Sequence, residues 1–260
     1  MQISVQYRKM DNIKMQSVQN QEERINVSEQ IMEDRTKNEA GTSVISLKDV
    51  DIYQHKTLIL SKISFTVNRG ELVYVVGKTG SGKSNLLKLL YGDVAPVNGK
   101  IQVAGYNLLK VKSKHIQRLR RHLGIVFQDY QLLQDRSVAD NLRFIAKVTG
   151  WKNKKEINAR VEEVLKMVDL QTKGHKMPHQ LSGGEQQRIC IARALVNHPE
   201  IILADEPTGN LDPETSYDIF YLFRQIAERG TAVLVATHDY LIVNQIPSRI
   251  LQIKDGKLFE

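Results

Sequence analysis

The sequence predicts an α/β fold built on a mainly parallel β-sheet, and three features carry that prediction. Short apolar runs of strand length alternate with segments of helical spacing, a glycine-rich loop sits between one such strand and one such helix, and a late apolar run ends in two carboxylates. Strands that alternate with helices read as parallel pairs joined by helical crossovers. With 260 residues, 41% apolar and 25% charged, the chain is long enough to bury a sizeable core.

Residues 1–43 read as a polar tail. They are rich in Gln, Glu, Asn and Ser, hold Tyr7 as their one aromatic, and show no sustained apolar period. Disorder or a loosely attached helix is the expected state, no function is assigned, and Met10, Met15 and Met32 leave open a start further in. Six basic and seven acidic residues give this segment a net −1, so the chain's +8 becomes +9 in the body.

One domain is expected over residues 44–260. Val44–Tyr53 and Ser64–Asn68 alternate as strands do, and Arg69-Gly70 turns the chain into the apolar strand Leu72–Val76. After the glycine-rich loop, Ser84–Tyr91 has helical spacing, and residues 99–105 give another short strand. Residues from about 113 to 175 are mostly helical and polar, broken by the apolar run Gly124–Phe127, and read as a helical insert within the sheet. Strand Ile201–Ala204, a helix from Pro213, strand Ala232–Ala236 and a short helix after His238 follow. Asp212-Pro213 supplies a capping side chain and a pre-set first helical residue. Asp255-Gly256 predicts a terminal hairpin turn.

Composition narrows the function classes. The single cysteine, Cys190, excludes an internal disulfide framework or a multi-cysteine metal site, and suits a reducing compartment. It is expected to serve as a small apolar helix residue, with Trp151 packed in or near the helical insert. No apolar run approaches the ~18 residues of a membrane-spanning helix, and MQISVQYRKM lacks the apolar stretch of a secretory signal. The chain is therefore expected to be soluble and cytoplasmic.

Three motifs carry the chemistry. Gly77-Lys78-Thr79-Gly80-Ser81-Gly82-Lys83-Ser84 fits G-x-x-x-x-G-K-[ST] between a strand and a helix. Its glycines let backbone N–H groups curl around phosphate oxygens, and the helix N-terminus adds positive potential. Lys83 is placed to reach the β- and γ-phosphates of a nucleotide, and the Ser84 hydroxyl to bind Mg²⁺. Ile201-Ile202-Leu203-Ala204-Asp205-Glu206 reads as a strand buried on both faces, ending where α/β sheets place ligands. Asp205 suits Mg²⁺ through water, and Glu206 suits orienting and deprotonating an attacking water. Leu181-Ser182-Gly183-Gly184-Glu185-Gln186-Gln187-Arg188 contains a capping box in Ser182 and Glu185. A cap alone does not call for two glycines in the first turn, each costing up to ~1 kcal/mol against alanine. They favour close approach of backbone N–H groups to an anion.

These residues, in this order, resemble the ATP-binding-cassette (ABC) ATPases. Gly77–Ser84 looks like the Walker A loop, Leu181–Gln186 the signature motif and Ile201–Glu206 the Walker B strand. Tyr53 is placed like the aromatic that stacks on adenine, Gln128 like the Q-loop glutamine, Gly209–Asp212 like the D-loop, and His238 like the switch histidine. One position departs from the pattern: Asn85 stands where Ser or Thr is usual, and its amide can still donate to an α-phosphate oxygen. The resemblance covers about residues 44–260. It implies a P-loop NTPase core of the ABC type, with a helical subdomain and an N-terminal antiparallel β subdomain.

The resemblance also implies an ATPase that works as a homodimer, with two ATP between two facing cassettes. Lys83, Ser84, Gln128, Asp205, Glu206 and His238 would come from one copy and Ser182 and Gly184 from the other, with Gly183 and Glu185 also binding the nucleotide. Tyr53, Gly77 to Ser84 and Asn85 would hold ATP. Ser84, Gln128 and Asp205 would hold Mg²⁺. The work would pass to an integral membrane subunit, placing the chain peripherally on the cytoplasmic face of the inner membrane. DEPTGNLD at Asp205–Asp212 resembles the branch whose membrane subunits act mechanically or on lipoproteins and large amphiphiles. Gln128–Asn141, with Asp135-Arg136 before Ser137-Val138, looks most like the cell-division members, whose membrane partner governs cell-wall hydrolases. Lipoprotein-release or macrolide-type export is the alternative within that branch.

The basic run Lys110, Lys112, Lys114, Arg118, Arg120 and Arg121 reads first as an exposed helix face, and second as contact with anionic lipid beside a membrane partner. A nucleic-acid role is disfavoured, because the run has no aromatics for base stacking.

Overall fold

Two sheets organise residues 43–260, the part of the chain that the computed structural model describes. Apart from Ser43, the predicted tail lies outside the described residues. The first sheet is antiparallel, in the order β2-β1-β4-β5, with β1 at Ser43–Gln54, β2 at Thr57–Asn68, β4 at Lys100–Val103 and β5 at Tyr106–Asn107. Burial in β1 changes phase along the strand: Ile45 and Leu47 face inward, then Val50 and Ile52. The change falls at a register shift where Asp49 takes φ 53, a bulge that re-aims every later side chain.

The second sheet has the order β10-β9-β3-β8-β7-β6, formed by β3 at Leu72–Val76, β6 at Leu123–Val126, β7 at Ile201–Asp205, β8 at Ala232–Thr237, β9 at Arg249–Lys254 and β10 at Lys257–Phe259. All neighbours from β9 to β6 are parallel, and β10 returns antiparallel through Asp255-Gly256, both with positive φ. The parallel sheet is buried on both faces, which is why its strands read as unbroken apolar runs. Leu72, Tyr74 and Val76 of β3 join one core, and Val73 and Val75 join the other. Helices α1 (Lys83–Leu90) and α2 (Ser113–Arg121) share the second core with the antiparallel sheet. The first core is built with α3 (Val138–Val148), α4 (Lys154–Met167), α5 (Gly183–Leu195), α6 (Pro213–Glu228) and α7 (Tyr240–Gln245).

Helix starts follow side-chain chemistry. Ser137 Oγ accepts the Asp140 N–H, Asn153 Oδ1 the Lys155 N–H and Asp212 Oδ1 the Thr215 N–H, each satisfying a donor that the first turn leaves unpaired. Trp151 packs against the core beside α3, donating to Asn197 Oδ1 at 3.1 Å and stacking on His198. Cys190 is buried in α5.

Two expectations change. Within the range 113–175 read as a helical insert, Leu123–Val126 is the edge strand of the parallel sheet, paired with β7, so α2 and β6 belong to the core. Four apolar residues are too few for periodicity to distinguish a strand from a helix segment. The strand expected at Ser64–Asn68 extends back to Thr57. Its first half is hidden in sequence by a register irregularity at Lys62 (φ 51) and by a His55-Lys56 turn that carries no usual turn residue.

Candidate active site

The loop after β3 is shaped by positions where no side chain fits. A Cβ on Gly77 would lie 2.6 Å from Ser81 Oγ and 2.8 Å from the Ile253 carbonyl, and one on Gly82, at φ 106, 2.9 Å from Ile59 Cγ2. The backbone curls tightly, and among the described residues no backbone hydrogen bond takes the N–H groups of Gly80, Gly82, Lys83 or Ser84. Ser81 Oγ is buried and equally without a partner there. Free donors converging at the start of α1 form a nest for an anion.

Lys83 opens α1, and its side chain is 5% exposed. Its ammonium folds back to donate to the Gly77 carbonyl at 2.7 Å and the Lys78 carbonyl at 3.2 Å, and stands 3.2 Å from Glu206 Oε1. One residue on, Ser84 Oγ donates to Asp205 Oδ1 at 3.0 Å, joining the glycine loop to the end of β7. Burial raises the Asp205 carboxyl above the usual value, and the neighbouring Glu206 charge adds to this, while the Ser84 hydrogen bond and Lys83 oppose it.

Glu206 is held in the left-handed region, φ 44, by its N–H donating to the Ala236 carbonyl at 2.9 Å. Such backbone strain is tolerated where surrounding structure imposes it, and it gathers at functional sites. The second carboxylate oxygen, Oε2, accepts the His238 backbone N–H at 3.3 Å and lies 2.9 Å from His238 Nδ1. Lysine, glutamate and histidine thus form a connected row across the ends of α1, β7 and β8.

This row lines a cavity of about 320 Å³, walled by Gln54, Ile59, Thr79, Gly80, Gly82, Lys83, Ser84, Asn85, Gln128, Glu206 and His238. Gly77, Lys78 and Ser81 face an adjoining cavity of about 630 Å³ on the other side of the loop. Gln128, after β6, is brought in as expected. Asn85 Nδ2 donates to Gln54 Oε1 at 3.3 Å, a bond that Ser or Thr is too short to copy in the same way. Tyr53 is half-buried on β1 and is not in the wall, whereas Gln54 and Ile59, which sequence reasoning missed, are. Both flank the β1–β2 turn, and only that turn's approach to the glycine loop makes them part of the site.

Ser182, Gly183, Gly184 and Glu185 lie outside the cavity wall. The capping box is formed: Ser182 Oγ accepts the Glu185 N–H at 3.2 Å, and Glu185 Oε2 accepts the Ser182 N–H at 2.9 Å. That backbone bond foremost, with Lys173 at 3.1 Å, holds the Glu185 carboxyl below its ordinary value. The two glycines also have a packing reason, because a Cβ on Gly183 would lie 2.9 Å from the Tyr130 hydroxyl and one on Gly184 2.4 Å from Thr215 Cγ2. Asp212, at the start of α6, accepts from Thr215 through both carboxylate oxygens.

A connected Lys-Glu-His row beside an anion nest and an alcohol–carboxylate pair can hold a polyphosphate and activate water next to it. Ser84 and Asp205 offer hard oxygen donors and fit Mg²⁺, which keeps water and phosphate among its ligands.

Comparison with known proteins agrees. The sequence model of the family described as ABC transporter matches residues 60–209. The cell division ATP-binding protein FtsE of Streptococcus pneumoniae serotype 2 is 45% identical over 217 residues, 83% of this chain and 94% of that one. Among solved structures, cbiO1 of Clostridium perfringens, part of the ABC transporter complex cbiONQ, superposes with a TM-score of 0.78 at 30% identity, covering 84% of this chain and 87% of that one. The ATP-binding cassette MJ0796, seen as a post-hydrolysis dimer bound to ADP and Pi, gives 0.72 at 33% identity, covering 83% and 97%.

Proposed function

This chain belongs to the ABC transporter family and hydrolyses ATP, and from that premise we propose that it is the ATPase subunit of an FtsEX-like complex, transmitting ATP-driven closure to a membrane partner that regulates cell-wall hydrolysis during division. The observation that carries the catalytic part is the Glu206 carboxylate, fixed between Lys83 and His238 at the cavity.

In this reading, the free N–H groups of the glycine loop and the Lys83 ammonium hold the β- and γ-phosphates, Asn85 donates to the α-phosphate, and Tyr53 serves the adenine. Glu206 orients water for in-line attack and takes its proton, and His238 and Gln128 fix the γ-phosphate end. Ser84, Asp205 and Gln128 would hold Mg²⁺, whose charge would neutralise phosphate oxygens. Ser182 to Glu185 reach the same phosphate from a second copy, so the active form is a homodimer. Positioning and charge neutralisation do the catalytic work.

The partner assignment rests on the loop after Gln128. Arg136 stands over the Phe144 ring at 4.7 Å, on the rim of a groove of about 450 Å³ that also takes in Asp140, Arg143 and Met177. A mixed aromatic and charged groove suits a short helix offered by a membrane subunit. Among the described residues no helix is long and apolar enough to cross a membrane, so the partner supplies the span. Among the described residues Lys110, Lys112, Arg118 and Arg121 show no ion pair, unlike Arg120, which Tyr91, Gly92 and Asp93 engage, and the Lys114 side chain lies outside the described residues. These cations support contact with anionic headgroups at the inner-membrane face.

Glu206→Gln tests the mechanism. Hydrolysis is expected to fall by about 10²-fold or more, while ATP is retained in a dimer resolved by gel filtration. A variant that hydrolyses at the parental rate sinks Glu206 as the base. Purifying the tagged chain from its own membranes in mild detergent tests the partner. An FtsX-like protein supports the division reading, whereas a lipoprotein-handling or export subunit moves the chain to that sister role.

A further inference from the structure

Gln187 is completely buried in α5, and neither its Nε2 nor its Oε1 finds a hydrogen-bond partner among the described residues. A buried amide with both ends unpaired is costly and uncommon in native folds, so it calls for a reason. Its helix face supplies one. Gly183, Gln187 and Cys190 are spaced i, i+4 and i+7 and share one stripe of α5.

Both neighbours on that stripe touch Tyr130, two residues beyond Gln128. Gly183 lacks the Cβ that would lie 2.9 Å from the Tyr130 hydroxyl, and the Cys190 thiol donates to the Tyr130 carbonyl at 3.0 Å. Arg193, one turn further along α5, donates to the carbonyls of Tyr130 and Gln131. The backbone after Gln128 is therefore anchored on the helix whose first turn is Ser182–Glu185. Helical side chains lean toward the N-terminus, so Gln187 leans toward the Gly183 turn, where the Tyr130 ring lies. The Tyr130 hydroxyl itself makes no hydrogen bond within the described residues, and its ring is half-buried.

We propose that Gln187 is a positioning residue that pairs its amide with the Tyr130 hydroxyl when Gln128 is drawn onto bound ATP, locking the loop after β6 to the signature helix. The proposal rests on the ATPase reading above and adds a link between two of its parts. Neither Gln187 nor Tyr130 lines the cavities at the glycine loop. Unpaired, the buried amide is a cost; paired with the Tyr130 hydroxyl it is satisfied, so the arrangement that brings the two together is favoured by the difference. Gln128 and Ser182 thereby move as one unit rather than as two loops.

The test uses the full chain with Gln187→Leu, Tyr130→Phe and the double variant. Leucine keeps the bulk and removes the unpaired amide, so the nucleotide-free melting temperature is expected to rise by about 2–6 °C. At saturating ATP, kcat is expected to fall roughly 5- to 20-fold in each single variant with KM within about twofold, and the double variant to be no worse than the poorer single. A lower melting temperature with unchanged kcat makes Gln187 purely structural and overturns the proposal. So do losses that multiply in the double variant. Should Gln187→Leu fail to fold, Tyr130→Phe decides alone, because an unchanged kcat there removes the partner. Glu206→Gln reports on the water-activating step separately, so a failure of this link is distinguishable from a failure of the site.

Discussion

Asp205 and Glu206 are adjacent carboxylates that the fold treats differently. Asp205 sits at the buried end of β7, where desolvation foremost and the Glu206 charge next raise its carboxyl above the ordinary value. A raised carboxylate is a cost to the folded state once ionised. The penalty is absent below the unfolded-state value, grows as pH rises between that and the folded value, and is complete above both. Asp205→Asn removes it while keeping an acceptor for the Ser84 hydroxyl. The nucleotide-free variant is expected to melt roughly 2–4 °C higher at pH 8, with a smaller gain at pH 5, while Mg²⁺-dependent hydrolysis is lost. A lower melting temperature at pH 8 would show that Ser84 and Lys83 already offset the burial. The sequence made these two acids visible as the end of an apolar run, but not the strained backbone of Glu206 or its bond to His238, since both depend on β8 lying beside β7.

A buried cation joins α4 to the end of α5. Arg160 of α4 is 6% exposed and donates to the carbonyls of Leu195 and Val196 at the end of α5, with Glu163 closing the pair at 2.8 Å. Those carbonyls are the acceptors a helix leaves unpaired at its C-terminus, and a guanidinium there is doubly favoured. Arg160→Met keeps the stem and deletes the donors, so about 2–3 kcal/mol of stability is expected to go. Hydrogen exchange should show protection falling first in α4 and the last turn of α5. Uniform loss across β3, β7 and β8 instead would mean that Arg160 holds the whole domain rather than this joint. Nothing local announces this role: Arg160 reads as one more charge on a polar helix, and its partners lie some 35 residues away. Where local chemistry was decisive, the sequence was readable, as at the Asp212 cap and the Asp255-Gly256 turn. Where tertiary pairing decided, as for β6 and the first half of β2, it was not.

The parallel sheet carries a core on each face, and this frame places Lys83, Ser84, Gln128, Glu206 and His238 around one cavity. The same frame keeps Ser182–Glu185 off that cavity, on the first turn of a helix packed against Tyr130 and Thr215. Motif spacing alone could not have revealed this separation, because a sequence does not record which residues meet across two copies. If the second copy supplies the signature turn, Thr79 and Ser182 approach only between chains. The chain is well suited to a test, because its single native cysteine is buried with a thiol pushed up to about 11, which leaves it unreactive near neutral pH. Thr79→Cys and Ser182→Cys combined in a Glu206→Gln background, treated with a short bifunctional maleimide, are expected to give a covalent dimer with ATP and little without it. Each single-cysteine variant controls for chance encounters. Cross-linking within one chain would place the signature turn in its own subunit's site, and a dimer yield indifferent to ATP would separate the contact from the nucleotide; either ends the composite-site reading.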